Sequence, residues 1–387
     1  MLNIAEKAID LALKREAKYA DVRVERMDST NIRMVGDHFE YVISGVDQGL
    51  GIRTLYKGAW GFASTSSLKE EEMKTAVENA VKAAKATSAR IKEKAELSPV
   101  QTHEDKVLTP AKTPFPKVEM SEKMGLVAEI CETARSYSQK IVSVTAVYGE
   151  SSGERIIATS EGTRISMKPS RATAAVLTVA KDAEKITSCV DRIGLPGGFE
   201  IFDKLDVKEM ATKTAERAVN LLKAKPAPSG RFTVVIDPKL AGTFAHEAVG
   251  HACEGDSVAT GRSILRGRIG ERIGSEHVTI YDDSTYPGGW GSLKYDMEGV
   301  PTKKRLLIDR GILKDYITNR EVAAKLKMVP NGGARAQSYA FRPIIRMSNT
   351  YIEKGDYTFD EMVEDIDHGV YVKSSRGGQV DPAKGTF

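Results

Sequence analysis

Two imidazoles and a carboxylate lie within six residues at His246-Glu247-x-x-x-His251. Neutral imidazole nitrogen is a good zinc ligand, and a carboxylate beside the first ligand can take a proton from water that the metal acidifies. Glu247 is therefore the candidate general base, with His246 and His251 as candidate zinc ligands, following the logic of the His-Glu-x-x-His pattern of metalloproteases. Here the spacing is one residue longer. On an ideal α-helix, positions four apart are separated by about 40°, but positions five apart by about 140°. A regular helix would point the two histidines in divergent directions, so the spacing predicts a π-type distortion at 247–251, which Gly250 eases. His103-Glu104 acts as an internal control: Leu108 stands where a second histidine would fall, and the pair reads as solvated linker.

A catalytic zinc usually has three protein ligands and a water. Cys253, two positions after His251, falls on nearly the opposite side of the helix and reads as a small buried thiol. Glu254 lies one turn from His251, within reach of a metal there or of solvent. Asp256, Asp282, Asp283 and His277 are weaker loop or strand-end candidates.

The elements that position this motif follow from periodicity. Arg231–Ile236 reads as a buried strand, Asp237-Pro238 as an N-cap and first helical residue, and the helix that follows as running to about Gly255. Upstream, residues 2–17 are helical. Segments 21–27, 31–35 and 41–44 alternate like strands, 49–62 reads as a hairpin, and 68–88 is an amphipathic helix. Residues 89–117, with four prolines, read as a linker. The pattern then restarts with a helix at 119–138, strands at 141–148, 154–159 and 171–180, and a helix at 207–224. The expected fold class is α+β. An N-terminal region 1–225, with a possible repeat of 1–90 in 119–224, precedes a β-rich domain 226–387 that carries the metal-site helix and has frequent Gly-Gly turns.

The whole chain has 387 residues, two or three domains' worth at about 150 each. A net charge of +4 argues against nucleic-acid binding, no apolar run is long enough to span a membrane, and three scattered cysteines exclude a disulfide framework. The expected setting is the cytoplasm, with reduced thiols.

Beyond the His-Glu-x-x-x-His core, the chain carries Glu254-Gly-Asp256, Asp282-Asp283, Gly291-Ser-Leu293, Asp296-x-Glu-Gly299, Asn331-Gly-Gly-Ala-Arg335, Ser338-Tyr339, Arg346-Met-Ser-Asn-Thr350 and Gly377-Gly-Gln-Val-Asp381. Together these resemble the TldD branch of the TldD/PmbA family of zinc peptidases, densely over 231–387 and more loosely before. The resemblance implies a cytoplasmic zinc metallopeptidase paired with a PmbA/TldE-type sister subunit, or a homodimer, that cleaves unfolded or short peptides entering as extended strands. It implies His246 and His251 as zinc ligands and Glu247 as base. It also implies a third ligand, a cysteine beyond the Gly-Gly-Gln-Val-Asp motif, and no cysteine follows Cys253 here. The chain thus reads as lacking a C-terminal segment, with weak zinc binding and little activity expected. The alternatives are a metal-poor peptide-binding or assembly homologue, which the intact Glu247 disfavours, and zinc-dependent hydrolysis of a non-peptide substrate. A direct interaction with DNA or gyrase, which an old family name suggests, is disfavoured by the near-neutral charge.

Overall fold

The computed structural model describes residues 1–375 and 377–386. In the N-terminal part the order is α1 (Leu2–Lys14), β1 (Tyr19–Val35), β2 (His38–Tyr56), β3 (Ala59–Thr65), α2 (Glu70–Ser88), β4 (Glu104–Leu108), α3 (Met120–Ser136), β5 (Ile141–Thr159), β6 (Arg164–Lys168), β7 (Ser170–Asp182), β8 (Lys185–Pro196) and α4 (Val207–Leu221). The strands form one sheet in the order β3-β2-β1-β5-β6-β4, with β7 pairing β5 and β8 extending from β7. All neighbours are antiparallel except β4 and β6. The fold is thus α+β, and helix, long strands, helix occurs in both halves of one continuous sheet.

Several strands are longer than periodicity suggests. Segments 21–27 and 31–35 are one strand, as are 41–44 and the start of the predicted hairpin. Segment 154–159 continues 141–148. Polar mid-strand residues break the alternation that a sequence reading relies on, while backbone pairing carries straight through them. The segment read as linker, 89–117, is corrected in part: Glu104–Leu108 pairs parallel to β6, and His103 packs on Tyr295 at 5.3 Å between ring centroids.

The sheet has two unlike faces, because side chains alternate along a strand. Val22, Val24, Leu50, Ile52, Ile156 and Ala158 pack under α1 and α2, which contribute Ala5, Ile9, Val77 and Val81. Ile32, Tyr148, Ala174 and Val176 pack under α3 and α4, which contribute Val127, Ile130, Ala211 and Ala215. Arg23, Glu25, Arg155 and Arg171 alternate with these apolar residues and so stand on the opposite face.

The C-terminal part caps that second face. It contains β9 (Thr233–Ile236), α5 (Pro238–Phe244), α6 (Gly255–Ala259), β10 (Ile280–Asp283), β11 (Lys304–Asp309), β12 (Ile312–Leu313), α7 (Arg320–Leu326), β13 (Ala334–Arg335), β14 (Ile344–Ile345), β15 (Thr350–Ile352), α8 (Phe359–Glu364) and β16 (Gly369–Val372). Its largest sheet runs β12-β11-β10-β15, and its own core gathers Cys253, Ile280, Leu307, Ile317 and Ile345. Apolar contact with the N-terminal sheet is small, with Tyr295 and Met297 against Ile157, Ile165 and Met167. The rest of the junction mixes polar, aromatic and ionic contacts: Tyr339 packs on Gly49 and donates to Asp47 at 3.0 Å, and Trp60 donates to Glu321 at 2.9 Å. Arg53 donates to Asp21 at 2.9 Å and to Glu298 at 2.8 Å, and the second Glu298 oxygen accepts the Arg320 amide at 2.9 Å. Arg320 in turn grips Glu161 with its two terminal guanidinium nitrogens, at 2.7 and 3.0 Å.

Removing one partner of a buried ion pair leaves the other charge uncompensated. Arg53→Met is expected to cost about 3–5 kcal/mol in denaturant unfolding. Asp296 supplies a pH test. Burial, with Glu298 close by, pushes its carboxyl up to about 7. The folded chain therefore holds a proton that the unfolded chain releases near pH 4, so the stability from this group is full below that pH and lost as pH rises through about 7. Unfolding midpoints of Asp296→Asn should lack this decline over pH 4–7, while the parent shows it.

Candidate metal centre

Asp237 caps the metal-site helix as expected: its carboxylate accepts the Leu240 amide at 2.7 Å, with Pro238 at the first helical position. Seven residues of α-helix follow. Ala245–Gly250 is then a π-helical turn, and His251–Cys253 a closing 3-10 turn. The helix stops there rather than at Gly255, because Glu254 is extended and Cys253 and Gly255 hydrogen-bond with Ile317.

The widened turn has the consequence that the spacing predicts. His246 and His251 come to one side, with ring centroids 4.8 Å apart and planes at 83°. Ligand atoms of His246, Glu247 and His251 all lie within 4.8 Å of one another. Gly250 lies against the side chain of Met347, which is itself buried and would have to shift to admit a Cβ there. On the open side, Gly378 passes so close to Glu247 that a Cβ would meet its Cγ at 2.5 Å.

Local electrostatics prepare the imidazoles. Burial and the neighbouring His251 hold His246 below its usual value, favouring the neutral ring that a metal requires. Nδ1 of His251 sits 3.0 Å from a Glu254 oxygen, while its Nε2 faces Glu247 at 3.9 Å. A His251 Nδ1–H donated to this Glu254 oxygen would leave the Nε2 lone pair for a metal. Arg346 stands 3.4 Å from the other Glu254 oxygen. Sequence reading left Glu254 open between ligand and solvent; in the structure it is buried and oriented by His251. The i, i+3 spacing was the available signal for that role, and nothing local pointed to Arg346 or Met347.

The other candidates do not join the cluster. Cys253 is buried in the apolar core, which pushes its thiol far up. Asp256 is turned to its own helix start, where it accepts the Ser257 amide at 2.8 Å. Asp282 holds Arg305, the Ser348 amide and Thr350, and Asp283 holds Thr285. His277 is exposed elsewhere. Among the described residues, His246, Glu247 and His251 are the group of metal-donor side chains. Two imidazoles beside a carboxylate, one of them held by an outer carboxylate, fit two of the three protein positions of a catalytic zinc, and among the described residues no donor besides Glu247 joins them.

Comparison with known proteins agrees with this geometry. Residues 20–84 match PmbA/TldA metallopeptidase domain 1, 113–222 the central domain and 229–387 the C-terminal domain. A metalloprotease of Methanocaldococcus jannaschii is 38% identical over 95% of this chain and 81% of its own. The chain belongs to the PmbA/TldD metallopeptidase family. A metalloprotease of Methanothermobacter thermautotrophicus is 40% identical, covering 98% of this chain and 82% of its own. A zinc metalloprotease TldD homologue of Saccharolobus solfataricus is 29% identical, with 98% and 82% covered. The crystal structure of TldE from Thermococcus kodakarensis shares the fold, with a TM-score of 0.78 at 21% identity over 98% of this chain and 84% of that one. No described helix is long and apolar enough to cross a membrane.

Gly250→Ala is expected to cost about 1–3 kcal/mol by overpacking. Met347→Ala in the same chain should recover part of that loss, read as a coupling energy from the four unfolding curves.

Proposed function

We propose that the chain is a zinc-dependent peptidase in which His246 and His251 hold the metal and Glu247 is the general base. The observation that carries this reading is the π turn, which brings two histidines and the intervening glutamate together, in a chain whose family is metallopeptidase. Zinc at such a site supplies Lewis acidity, acidifying water and polarising a scissile carbonyl.

The chain's own residues then have separate tasks. Glu247 accepts a proton from the attacking water and passes it to the departing amine as the peptide C–N bond breaks. With its Nδ1–H donated to Glu254, His251 offers its Nε2 lone pair to the metal. Gly378 places backbone, not a side chain, against Glu247. Unfolded or short peptides are the substrate class we infer, with a sister subunit or a second copy as the partner. The intact base disfavours a purely binding homologue, since holding a peptide needs no proton acceptor.

Zinc per chain by elemental analysis, beside hydrolysis of an unfolded peptide, tests the reading. His251→Ala should lose the metal. Glu247→Gln should keep it and lose hydrolysis by about 10²–10⁴-fold. Glu254→Ala should weaken zinc binding about 10–100-fold in a folded chain, by competition with a chelator. Zinc retained in His251→Ala, or unchanged hydrolysis in Glu247→Gln, would sink the assignment.

A further inference from the structure

The charged face of the N-terminal sheet carries more cations than it can pair. Arg155 donates to Glu25 at 2.8 Å. Arg171, exposed at the surface of that face, has no carboxylate partner among the described residues; its guanidinium lies 4.7 Å from the centroid of the Trp290 ring. Arg335, from the capping part, donates to Ser284 Oγ at 3.1 Å. The same oxygen accepts from Arg305 at 2.9 Å, so two guanidinia share one hydroxyl. The Arg335 Nε is buried with no hydrogen-bond partner. Ser284 and Trp290 belong to one loop after β10, which places Arg335 and Arg171 along the same loop.

The nearby carboxylates do not balance this charge. Asp282 is taken by Arg305. Asp296 accepts the amides of Glu298, Val300 and Ala334, and its raised pKa drives it toward the neutral acid. Arg155 acts on both Arg171 and Arg335 with its like charge, and burial with neighbouring arginines pushes Arg335 down to about 10. A buried guanidinium with an unpartnered nitrogen, as at Arg335, is costly to hold, and an arriving anion offsets that cost. The cluster also connects to the metal turn. Arg305 reaches Ser348 at 3.1 Å, and the adjacent Met347 packs on Gly250.

We propose that Arg155, Arg171 and Arg335, walled by Trp290, form a carboxylate-binding subsite that takes the C-terminal carboxylate or an acidic side chain of a peptide. The planar fork of arginine matches a carboxylate through two parallel hydrogen bonds. This deepens the peptidase reading and rests on it for the nature of the ligand.

The test uses the full chain carrying Glu247→Gln, so that bound peptide is not consumed. Fluorescein-labelled ten-residue peptides of Gly, Ser, Ala and Leu are compared as C-terminal acid against C-terminal amide. A second pair of amide-ended peptides carries one internal Glu or Gln. The carboxylate form of at least one pair should bind about tenfold tighter, or about 1.4 kcal/mol. That preference should vanish in Arg171→Met, whose exposed side chain makes misfolding a poor explanation, and in Arg335→Met, which should also raise the thermal midpoint by removing an unpaired buried charge. Whichever pair shows the preference identifies the source of the carboxylate. Equal binding within both pairs, a preference that survives both substitutions, or no peptide binding at all overturns the subsite. Hydrolysis by the parent without the preference overturns the subsite alone. The preference together with zinc retained in His251→Ala overturns the peptidase reading alone.

Discussion

One extra residue in a helical turn is the constraint on which the site depends. Five-residue spacing puts His246 and His251 about 140° apart on a regular helix, and no rotamer brings such rings to one ion. The turn at Ala245–Gly250 closes with i to i+5 bonds instead, and the rings meet. A π turn is unfavourable alone and needs its surroundings to hold it. Here Met347 fills the space that any side chain at position 250 would need, and the Cys253–Gly255 segment is pinned to Ile317, so the helix cannot unwind the distortion forward.

That pinning depends on the rest of the capping part being fixed, and its attachment to the sheet combines ion pairs with aromatic and polar contacts. The apolar contact at Ile157, Ile165 and Met167 is small. Arg53, Asp21 and Glu298 form a buried ion-pair cluster there, and Arg320 reaches the more exposed Glu161 at its edge. The strand period of two makes this junction possible, since the residues that bury β1 under the helices leave Arg23 and Glu25 on the other side. The polar face is the unavoidable complement of the apolar one, and the capping part uses it for docking and, in our proposal, for binding a carboxylate.

Much of this was legible in the chain. Helix positions came from apolar spacing at three and four residues, as in Ala5, Ala8, Ile9 and Ala12. The N-cap at Asp237 and the distorted turn followed from local chemistry and helix geometry. Strand lengths were less legible, because polar stretches such as Ser44–Gln48 look like loops until pairing partners are known. The strand at Glu104–Leu108 was invisible for the same reason: its only partner, β6, lies some sixty residues away.

The sequence by itself determined which residues can do chemistry, that a regular helix could not unite them, and which strand positions are apolar, since these follow from residue type and fixed backbone periods. Tertiary structure alone decided that Glu254 lies against His251, that Met347 fills the space beside Gly250, that Asp282 is spent on Arg305, and that Arg171 and Arg335 have no carboxylate partner among the described residues. Each of these depends on contacts between segments far apart in the chain, and no local propensity encodes which distant side chain fills a given space.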